Sequence, residues 1–438
     1  MTPSKFSLTP RLTDDPLALA FDRLVPQGPM MDLFLPLEEV NLDWEDFLAG
    51  AEECGAYLNI PFCPTICDFC GFFKLPFSTA LIKRYLLALV TDVRARGALL
   101  KKLGLRLKAL YIGGGTPTIL SEEELSLLLA VIDESLPMIE ESEFTFEASL
   151  STLTPRKIDI LARGGVNRLS IGVQSFNPEV RGAVGRRSIE PFKEVKEAVL
   201  NFKGLTVIDL IHNLPGQSLE IFESDLKAAT ETGAKGLAVY LLKIPPQSNL
   251  AKKMGPQGSL KPLTLAQAAP YRRLANQILP ALGWSRISAA HFAPPLGDRN
   301  VYNHLSASRR SIIPMGIGAG GYHRGRSWVI TRDLDHYETS AKNDAPLTLF
   351  SPKATYFEFL DRISLDLSQG LLQTKDELET SSALFKILEP TIEPLVKAGL
   401  FNVEPNGYSL TEAGWFWSPN IEFLLRNAAA EGLQKTKN

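Results

Sequence analysis

The sequence contains few cysteines, and their placement limits the chemistry that they can serve. Only four occur in 438 residues, and all of them lie between residues 54 and 70. A disulfide framework would spread its cysteines along the chain to close loops, and a reducing cytosol would not keep them oxidised. The clustering therefore indicates a metal site and not a set of disulfide bonds.

The sequence also lacks an excess of charge and a long apolar segment. The net charge is −3 and the isoelectric point is about 6.1, so we expect no nucleic-acid partner and no attraction to anionic membranes. Residues 81–100 form the longest apolar helical stretch, but charged residues such as Lys83 and Asp92 interrupt it, which predicts no membrane span. The first residues, MTPSKFSLTPRL, lack the apolar region of a secretory signal. We expect a cytoplasmic protein.

Short apolar runs alternate with amphipathic helical stretches from residue 56 onward. The predicted strands are residues 56–60, 107–112, 144–148, 168–173, 206–211 and 236–242, with a further candidate at 284–292. Their continuous apolar character is typical of parallel strands covered by helices. An open doubly wound sheet and a partial barrel both fit this pattern. Both place their active sites at the carboxyl ends of the strands.

Helix signals mark several of the intervening stretches. Ser121, with Glu124 three residues later, forms the pattern of a capping box. Thr154 followed by Pro155 predicts a helix start, and Gly164–Gly165 predicts its end.

The rhythm of the sequence divides the chain into five predicted segments. Residues 1–50 are an irregular lead-in, 51–295 carry the strand–helix units, and 296–350 form a glycine-rich substrate or linker region. Residues 351–425 combine helices with an Asn-Gly turn between short strands, which suggests a winged-helix-like domain. We expect residues 426–438 to form a disordered tail.

The cysteine motif predicts an iron–sulfur cluster. In Cys63-Pro-Thr-Ile-Cys67-Asp-Phe-Cys70 the three cysteines directly follow the first predicted strand. Thiolates hold iron–sulfur clusters, usually four of them, so three leave one iron open to a substrate. A structural zinc loop is the alternative. Zinc needs a fourth ligand, yet the first histidine of the chain is His212. Cys54 could supply that ligand, but a buried packing role suits it better.

Here the chain resembles a known family. Tyr57-Leu-Asn-Ile-Pro-Phe-Cys63 followed by Cys67-Asp-Phe-Cys70-Gly-Phe-Phe is similar to the signature of radical S-adenosylmethionine (SAM) enzymes related to oxygen-independent coproporphyrinogen dehydrogenase. The resemblance spans residues 55–425 and implies a [4Fe-4S] cluster held by three cysteines, with SAM on the open iron. With it we expect an α/β fold, a partial (β/α)6 TIM-type barrel with a small C-terminal helical, winged-helix-like domain. The family usually has His where Asn59 stands, and an amide donates a hydrogen bond but no proton near neutral pH.

Residues at the predicted strand ends match the family's SAM contacts. A glycine segment, Gly113-Gly114-Gly115-Thr116, follows the second strand, and Glu147 ends the third. A carboxylate in an apolar run is costly unless a cation pairs with it; a neighbouring Lys or Arg is the alternative to a cationic ligand. The resemblance implies contacts to a first SAM from Tyr57, Gly114 and Glu147. It implies contacts to a second SAM from Phe69, Gly115, Thr116, Gln174, Arg186 and Asp209.

The C-terminal half is similar to the anaerobilin synthases, which are anaerobic haem-degrading methyltransferases. The similarity lies in SAAHFAPP, in Arg299-Asn300-Val-Tyr302-Asn303 and in Gly316-Ile-Gly318-Ala-Gly320-Gly321-Tyr322. It implies that a first SAM is cleaved to methionine and a 5′-deoxyadenosyl radical, which takes hydrogen from the methyl group of a second SAM. The resulting methylene radical adds to a haem meso carbon, the macrocycle opens and iron is released.

The same similarity implies haem or a related tetrapyrrole as the substrate. The one-electron chemistry of SAM cleavage makes a reduced flavodoxin or similar protein the expected electron donor. The candidate substrate residues are His291, Arg299, His304 and His323; the candidate partners of the haem propionates are Arg299, Arg309, Arg310, Arg324 and Arg326. Two alternatives stay open: decarboxylation of coproporphyrinogen III with the same pair of SAM molecules, and a haem chaperone that keeps the cluster but delivers haem intact.

Overall fold

The computed structural model describes residues 8–25, 38–39, 44–51, 54–186, 190–254, 264–341, 348–351, 353–373 and 379–435. For residues 38–39 and 379–384 it describes the backbone alone.

Within these ranges the strands are β1 (Glu38–Glu39), β2 (Cys54–Ile60), β3 (Leu107–Gly114), β4 (Met138–Ala148), β5 (Arg168–Gln174), β6 (Leu205–His212), β7 (Gly236–Leu241), β8 (Ser285–Arg286), β9 (His291–Ala293), β10 (Ser311–Met315), β11 (Gly320–His323), β12 (Arg326–Ile330), β13 (Thr348–Phe350), β14 (Leu371–Gln373), β15 (Phe401–Glu404) and β16 (Gly407–Leu410). The helices are α1 (Pro16–Leu19), α2 (Trp44–Leu48), α3 (Thr79–Lys102), α4 (Glu122–Ser135), α5 (Pro155–Arg163), α6 (Pro178–Ala183), α7 (Pro191–Asn201), α8 (Leu219–Glu231), α9 (Asn249–Lys253), α10 (Leu265–Ala281), α11 (Val301–Ala307), α12 (Leu334–Ala341), α13 (Phe357–Ser368), α14 (Glu379–Lys397), α15 (Glu412–Phe416) and α16 (Ser418–Lys435).

A parallel sheet forms the centre of the fold. Strands β2, β3, β4, β5, β6 and β7 lie side by side in chain order, and every neighbouring pair is parallel. Helices connect successive strands, and the apolar side chains between the two layers form the largest hydrophobic core. This arrangement confirms the six predicted strands and the partial barrel. It also brings the carboxyl ends of six strands to one edge, where residues far apart in sequence meet.

Local sequence signals set the helix boundaries as predicted. At the start of α4 the Ser121 hydroxyl accepts from the Glu124 backbone, and the Glu124 carboxylate accepts from the Ser121 backbone. At the start of α5 Thr154 caps the helix with Pro155 in its first turn, and Gly164 caps its end. These side chains satisfy backbone groups that a helix end leaves unpaired.

The sheet continues through the region predicted as a glycine-rich linker. Strand β10 pairs in parallel with β2, and β11, β12, β13 and β1 extend the sheet as antiparallel strands. Pro314 in β10 made the run look irregular, because proline removes a ladder donor. Gly321 on β11 accommodates it: a Cβ there would lie 2.6 Å from Pro314 Cδ. The predicted limit of the sheet at residue 295 is therefore wrong.

The predicted strand 284–292 is also different in the structure. It is two short strands, β8 and β9, that pair with each other in antiparallel fashion, and β9 also pairs with β7 in antiparallel fashion. Ser288 lies in the turn between them, and its backbone N donates to His291 O. A tight turn within the run therefore replaces a continuous parallel strand.

The C-terminal domain has its own core and a three-stranded antiparallel sheet in the order β14–β16–β15. Leu17 and Phe21 of the N-terminal segment pack into this core, and Trp417 Nε1 donates to Pro16 O at 2.9 Å. Residues 8–25 of the lead-in therefore pack against this domain.

The predicted tail is helical as far as Lys435, so the expectation of disorder is wrong for residues 426–435; residues 436–438 lie outside the described ranges. Buried Ala429 and the close approach of Gly432 to Ile387 attach this last helix to the domain. No helix in the described ranges combines the length and the apolar character needed to cross a membrane.

Candidate active site

The loop with the three cysteines follows β2 and is fixed by backbone hydrogen bonds. Thr116 N donates to Phe62 O at 2.7 Å, and Asp68 N donates to Val184 O at 3.1 Å. Leu250 N donates to Asp68 O at 2.8 Å. Three separate chain segments therefore hold the loop against the carboxyl edge of the sheet.

A large cavity lies at this edge of the sheet. Its volume is about 1310 Å³, which exceeds the roughly 300–1,000 Å³ that is usual for a site with one small ligand. All three motif cysteines line it, together with eight of the nine predicted SAM contacts: Phe69, Gly114, Gly115, Thr116, Glu147, Gln174, Arg186 and Asp209. Residues spread over about 150 positions of sequence thus meet around one space.

Glu147 is embedded in the wall of the cavity with its carboxylate toward the space. Tyr111 Oη donates to Oε1 at 2.8 Å, and Gly114 N donates to Oε2 at 3.2 Å. No Lys or Arg nitrogen of the described residues lies within 4.0 Å of it. Burial raises the pKa of Glu147, and these two hydrogen bonds oppose the shift. The salt-bridge alternative is therefore not observed in the described part of the chain.

Asp209, in the C-terminal half of β6, is the second carboxylate of the cavity. Ser170 Oγ lies 3.2 Å and 3.0 Å from its two oxygens. Burial, aided by the negative charge of Glu147, raises the pKa of Asp209 to about 7. Two enclosed carboxylates near one another favour a cationic ligand, because such a ligand offsets the cost of both charges.

Gln174 lines the same cavity, and its side-chain oxygen is buried without a hydrogen-bond partner in the described residues. Its side chain is only 6% exposed, its backbone φ is +67°, and the β5–β6 register shifts beside it. Such a buried acceptor costs free energy until a ligand donor reaches it.

The comparisons with known proteins agree with this geometry. The sequence model of the radical SAM superfamily matches residues 58–229. An oxygen-independent coproporphyrinogen III oxidase of Salmonella typhimurium is 30% identical over 319 residues, which cover 67% of this chain and 68% of the relative.

This chain belongs to the radical SAM superfamily. Within it, an anaerobilin synthase of Escherichia coli O157:H7 is 28% identical over 88% of this chain and 87% of its own length. A heme chaperone HemW of Lactococcus lactis is 28% identical over 84% of this chain and 97% of its own length. The solved structure of coproporphyrinogen III oxidase (HemN) from Escherichia coli, at 22% identity, covers 92% of this chain with a TM-score of 0.74, which supports the fold. Membership implies a [4Fe-4S] cluster and SAM.

The cysteines of this radical SAM chain suit such a cluster. Thr116 Oγ1 donates to Cys63 Sγ at 3.5 Å, and Arg186 Nε donates to Cys67 Sγ at 3.0 Å. Burial raises the pKa of Cys63, and the Thr116 bond opposes this. Among the described residues no three His, Cys, Asp or Glu side chains are grouped to bind a single metal ion. A cluster does not require that grouping, because its own irons and sulfides separate the thiolates.

Cys54 lies apart from this loop. It begins β2, is 1% exposed and does not line the cavity. Burial raises its pKa to about 11, so it stays a thiol at neutral pH. The packing interpretation therefore suits its position.

Two residues of the signature serve the architecture of the site. Asn59 Nδ2 donates to Ile317 O at 2.7 Å, and its Oδ1 accepts from Tyr57 Oη at 3.4 Å. A Cβ on Gly114, whose φ is +109°, would lie 1.8 Å from Asn59 Oδ1, so only glycine fits there. The Tyr57 ring stacks on Tyr111 at 6.1 Å, and Tyr57 itself does not line the cavity.

None of the four substrate candidates lines the cavity. His323 is 1% exposed and bonds Ser311 Oγ through Nδ1 at 2.8 Å, whereas Arg299 is exposed. His291 is buried between Ser288 Oγ at 2.7 Å and Tyr240 Oη at 3.1 Å. His304, in α11, is half-buried. The candidate arginines at positions 309, 310, 324 and 326 do not line the cavity either. The structure therefore does not bring these candidates together with the three cysteines around the cavity.

The structure adds cavity residues that the sequence reasoning missed. Tyr240 lines the cavity at the end of β7, and Ser170 lines it beside Asp209. The available signal was positional: Tyr240 is a polar group in the C-terminal half of its strand, as Glu147 and Asp209 are. Lys74 and Lys243 also line the cavity.

Proposed function

We propose that this protein is a radical SAM methyltransferase that opens the haem macrocycle anaerobically, releases iron and gives a methylated linear tetrapyrrole with two SAM molecules. The observation that carries the proposal is the single cavity of about 1310 Å³ that joins the three motif cysteines to Glu147, Gln174 and Asp209. Similarity to an anaerobilin synthase over 88% of this chain, compared with 84% for the heme chaperone and 67% for the coproporphyrinogen III oxidase, supports this choice among related reactions.

Cys63, Cys67 and Cys70 are the residues that would hold the cluster. When bound, the cluster supplies the electron that cleaves SAM. The protein's contribution is to leave one coordination position without a side-chain ligand and to shape a cavity beside it. Thr116 and Arg186 hold two of the three sulfurs by hydrogen bonds.

Glu147 and Gly114 are proposed to bind the first SAM. The carboxylate is preoriented by Tyr111 and by the Gly114 backbone, so it pays little entropy when it meets a cationic group.

Glu147→Ala should weaken SAM binding and leave the cluster in place. Loss of a charge-assisted hydrogen bond costs about 1.5–3 kcal/mol, which corresponds to roughly tenfold or more in affinity. Equilibrium dialysis with reconstituted protein measures it. Glu141→Ala is the matched control, because Glu141 lies on the same strand but is exposed. Equal SAM affinity in the two variants would remove Glu147 from the site.

Gln174, Arg186 and Asp209 are proposed to bind the second SAM, the methyl donor. The unpaired Gln174 Oε1 can accept from an amino group, the Asp209 carboxylate can offset a positive charge, and Arg186 can bind a carboxylate. Phe69, Gly115 and Thr116 complete the wall of this second site.

Ligand binding at this second site should depend on pH through Asp209. Below its folded pKa of about 7 the carboxyl is neutral and attracts no cation, so SAM should bind more tightly as the pH rises through 7. Because the folded pKa lies above the ordinary value, the free energy of unfolding without ligand should fall as the pH rises through the same range. Asp209→Asn should flatten both profiles, which calorimetric SAM titrations and urea unfolding at several pH values measure. A pH dependence unchanged in Asp209→Asn would assign the titration to another group.

The rest of the cavity suits a flat apolar macrocycle with acidic substituents. Its wall includes apolar residues such as Leu24, Phe72 and Ile244, and the amines of Lys74 and Lys243. Lysine binds carboxylates as a point charge, so these two residues replace the sequence-predicted arginines as partners for propionates.

Product analysis after anaerobic turnover tests this function. Reconstituted protein is incubated with reductant and SAM, and with either haem or coproporphyrinogen III. We expect haem to give an iron-free tetrapyrrole that carries one added methyl carbon, and we expect coproporphyrinogen III to remain unchanged. Haem recovered unchanged with its iron would favour a chaperone, and loss of carboxyl groups from coproporphyrinogen III would favour the decarboxylase.

A further inference from the structure

Two side chains in the cavity wall donate hydrogen bonds directly to cysteine sulfurs of the motif. Arg186 Nε lies 3.0 Å from Cys67 Sγ, and Thr116 Oγ1 lies 3.5 Å from Cys63 Sγ. Both donors come from outside the cysteine loop, Thr116 after β3 and Arg186 after α6.

The Arg186 guanidinium is held in this position by further contacts. Its Nη1 donates to Ser149 Oγ at 3.2 Å and to Gly172 O at 3.3 Å. These contacts tie the side chain to the ends of β4 and β5 while its Nε faces the sulfur. The neighbouring Arg181 is directed elsewhere, since its Nη1 donates to backbone oxygens of Val173 and Ser175.

From this geometry we infer that Arg186 and Thr116 set the reduction potential of the cluster, with Arg186 as the stronger determinant. The inference rests on the proposed ligation by Cys63, Cys67 and Cys70. Reduction adds one electron from an external one-electron donor and makes or breaks no bond, so the cluster gains one unit of negative charge. Hydrogen bonds to the sulfurs stabilise that added charge and raise the potential. A positively charged donor acts more strongly than a hydroxyl.

Arg186 links the cluster ligands to the cavity. It contacts a cluster-ligand sulfur and also lines the cavity in which the second SAM is proposed to bind. Any ligand that contacts the guanidinium therefore acts on a group that is one hydrogen bond from the cluster.

Redox titration of the reconstituted protein, followed by electron paramagnetic resonance without haem or SAM, tests the inference. Loss of the positively charged donor destabilises the reduced cluster more than the oxidised cluster, because the reduced cluster carries more negative charge. We therefore expect Arg186→Ala to lower the reduced-to-oxidised ratio at a fixed potential by on the order of tenfold, and each tenfold is about 59 mV for one electron. Arg186→Lys keeps the positive charge but loses the planar guanidinium donor. Its reduction potential should therefore also shift in the negative direction.

Two conservative substitutions of Thr116 separate the hydroxyl donor from the shape of the side chain. Thr116→Val removes the hydroxyl and should shift the potential in the negative direction by less than Arg186→Ala, while Thr116→Ser keeps the donor and should match the wild type. Gln174→Ala, which alters the cavity without touching a sulfur, should also match it.

The outcomes separate this inference from the proposed function. Wild-type potentials in both Arg186 variants and in Thr116→Val, with the cluster present, would overturn the inference alone. A shift in Arg186→Ala that Arg186→Lys fully restores would overturn the hydrogen bond in favour of simple charge. Failure of the wild type to assemble any cluster would overturn the cysteine assignment and this inference with it.

Discussion

Replacement of Cys63, Cys67 or Cys70 by alanine is expected to abolish the cluster and all SAM cleavage. Three thiolates are the whole protein contribution to the proposed cluster, and loss of one leaves a second iron without a protein ligand. Iron and sulfide analysis, the brown absorbance of the purified protein and the yield of 5′-deoxyadenosine measure the effect. Each of the three variants should fall to background in all three measurements.

Cys54→Ala is the matched control for this experiment. Cys54 is buried in β2 among apolar neighbours, so its loss removes a small packing contact and no ligand. The variant should keep its iron and its SAM cleavage. Iron loss in Cys54→Ala would contradict the three-cysteine assignment.

A second large effect is expected on stability, from Asp298→Ala. Arg168 at the start of β5 donates to the Asp298 oxygens at 2.9 Å and 2.8 Å, and both side chains are almost completely buried. Removal of Asp298 takes away the nearest partner of the buried Arg168 charge and leaves only the more distant Glu143 carboxylate, at 3.9 Å, so the cost approaches the about 3–5 kcal/mol of a broken buried pair. Urea unfolding should show a loss of that size.

Asp159→Ala is the matched control for the buried pair. Asp159 pairs with Arg163 four residues later on α5, at 2.8 Å, and both side chains are exposed. An exposed pair of this kind contributes only about 0.3–0.5 kcal/mol. Equal losses in the free energy of unfolding of the two variants would show that the buried Arg168–Asp298 pair stabilises the protein no more than an exposed pair does.

The same buried pair also bears on the site. The positive charge of Arg168 opposes the rise in the pKa of Asp209 and of Glu147. Asp298 and Asn300 precede α11, and Asn300 Oδ1 accepts from Arg168 at 3.3 Å. The first residues of α11 in turn donate from Val301 N to the Glu143 carboxylate at 2.7 Å. This region therefore supports β4 and β5, and Tyr302 of α11 packs against the cavity-lining Tyr111, with the two ring centroids 4.8 Å apart.

The central strands could be predicted because each is a short apolar run between helix signals. The residues 168–173 and 206–211, for example, lie within β5 and β6. Strand β10 could not be predicted in the same way. Its five residues are fully buried through pairing with β2, more than 250 positions earlier, and Pro314 disguises the run. Pairing over such a distance leaves no local signal.

The cavity could largely be predicted because parallel strands bring their carboxyl ends together. Glu147 and Asp209 lie in the C-terminal halves of β4 and β6, and polar residues there converge wherever the sheet is parallel. The substrate side could not be predicted from single residues. His291 and His323 looked available in the sequence, yet tertiary packing encloses both. A lone histidine or arginine carries no signal of which side of a sheet it will face.

Mass spectrometry after anaerobic turnover of haem with trideuteromethyl SAM tests the proposed two-SAM reaction most directly. If one SAM is cleaved and the other donates its carbon, deuterium should appear both in 5′-deoxyadenosine and in an iron-free, methylated tetrapyrrole, with S-adenosylhomocysteine as the second co-product. Arg186→Ala should lose most of the labelled tetrapyrrole, because the carboxylate of the second SAM would lose its positively charged partner. Haem that emerges unlabelled with its iron still bound would contradict the methyltransferase function.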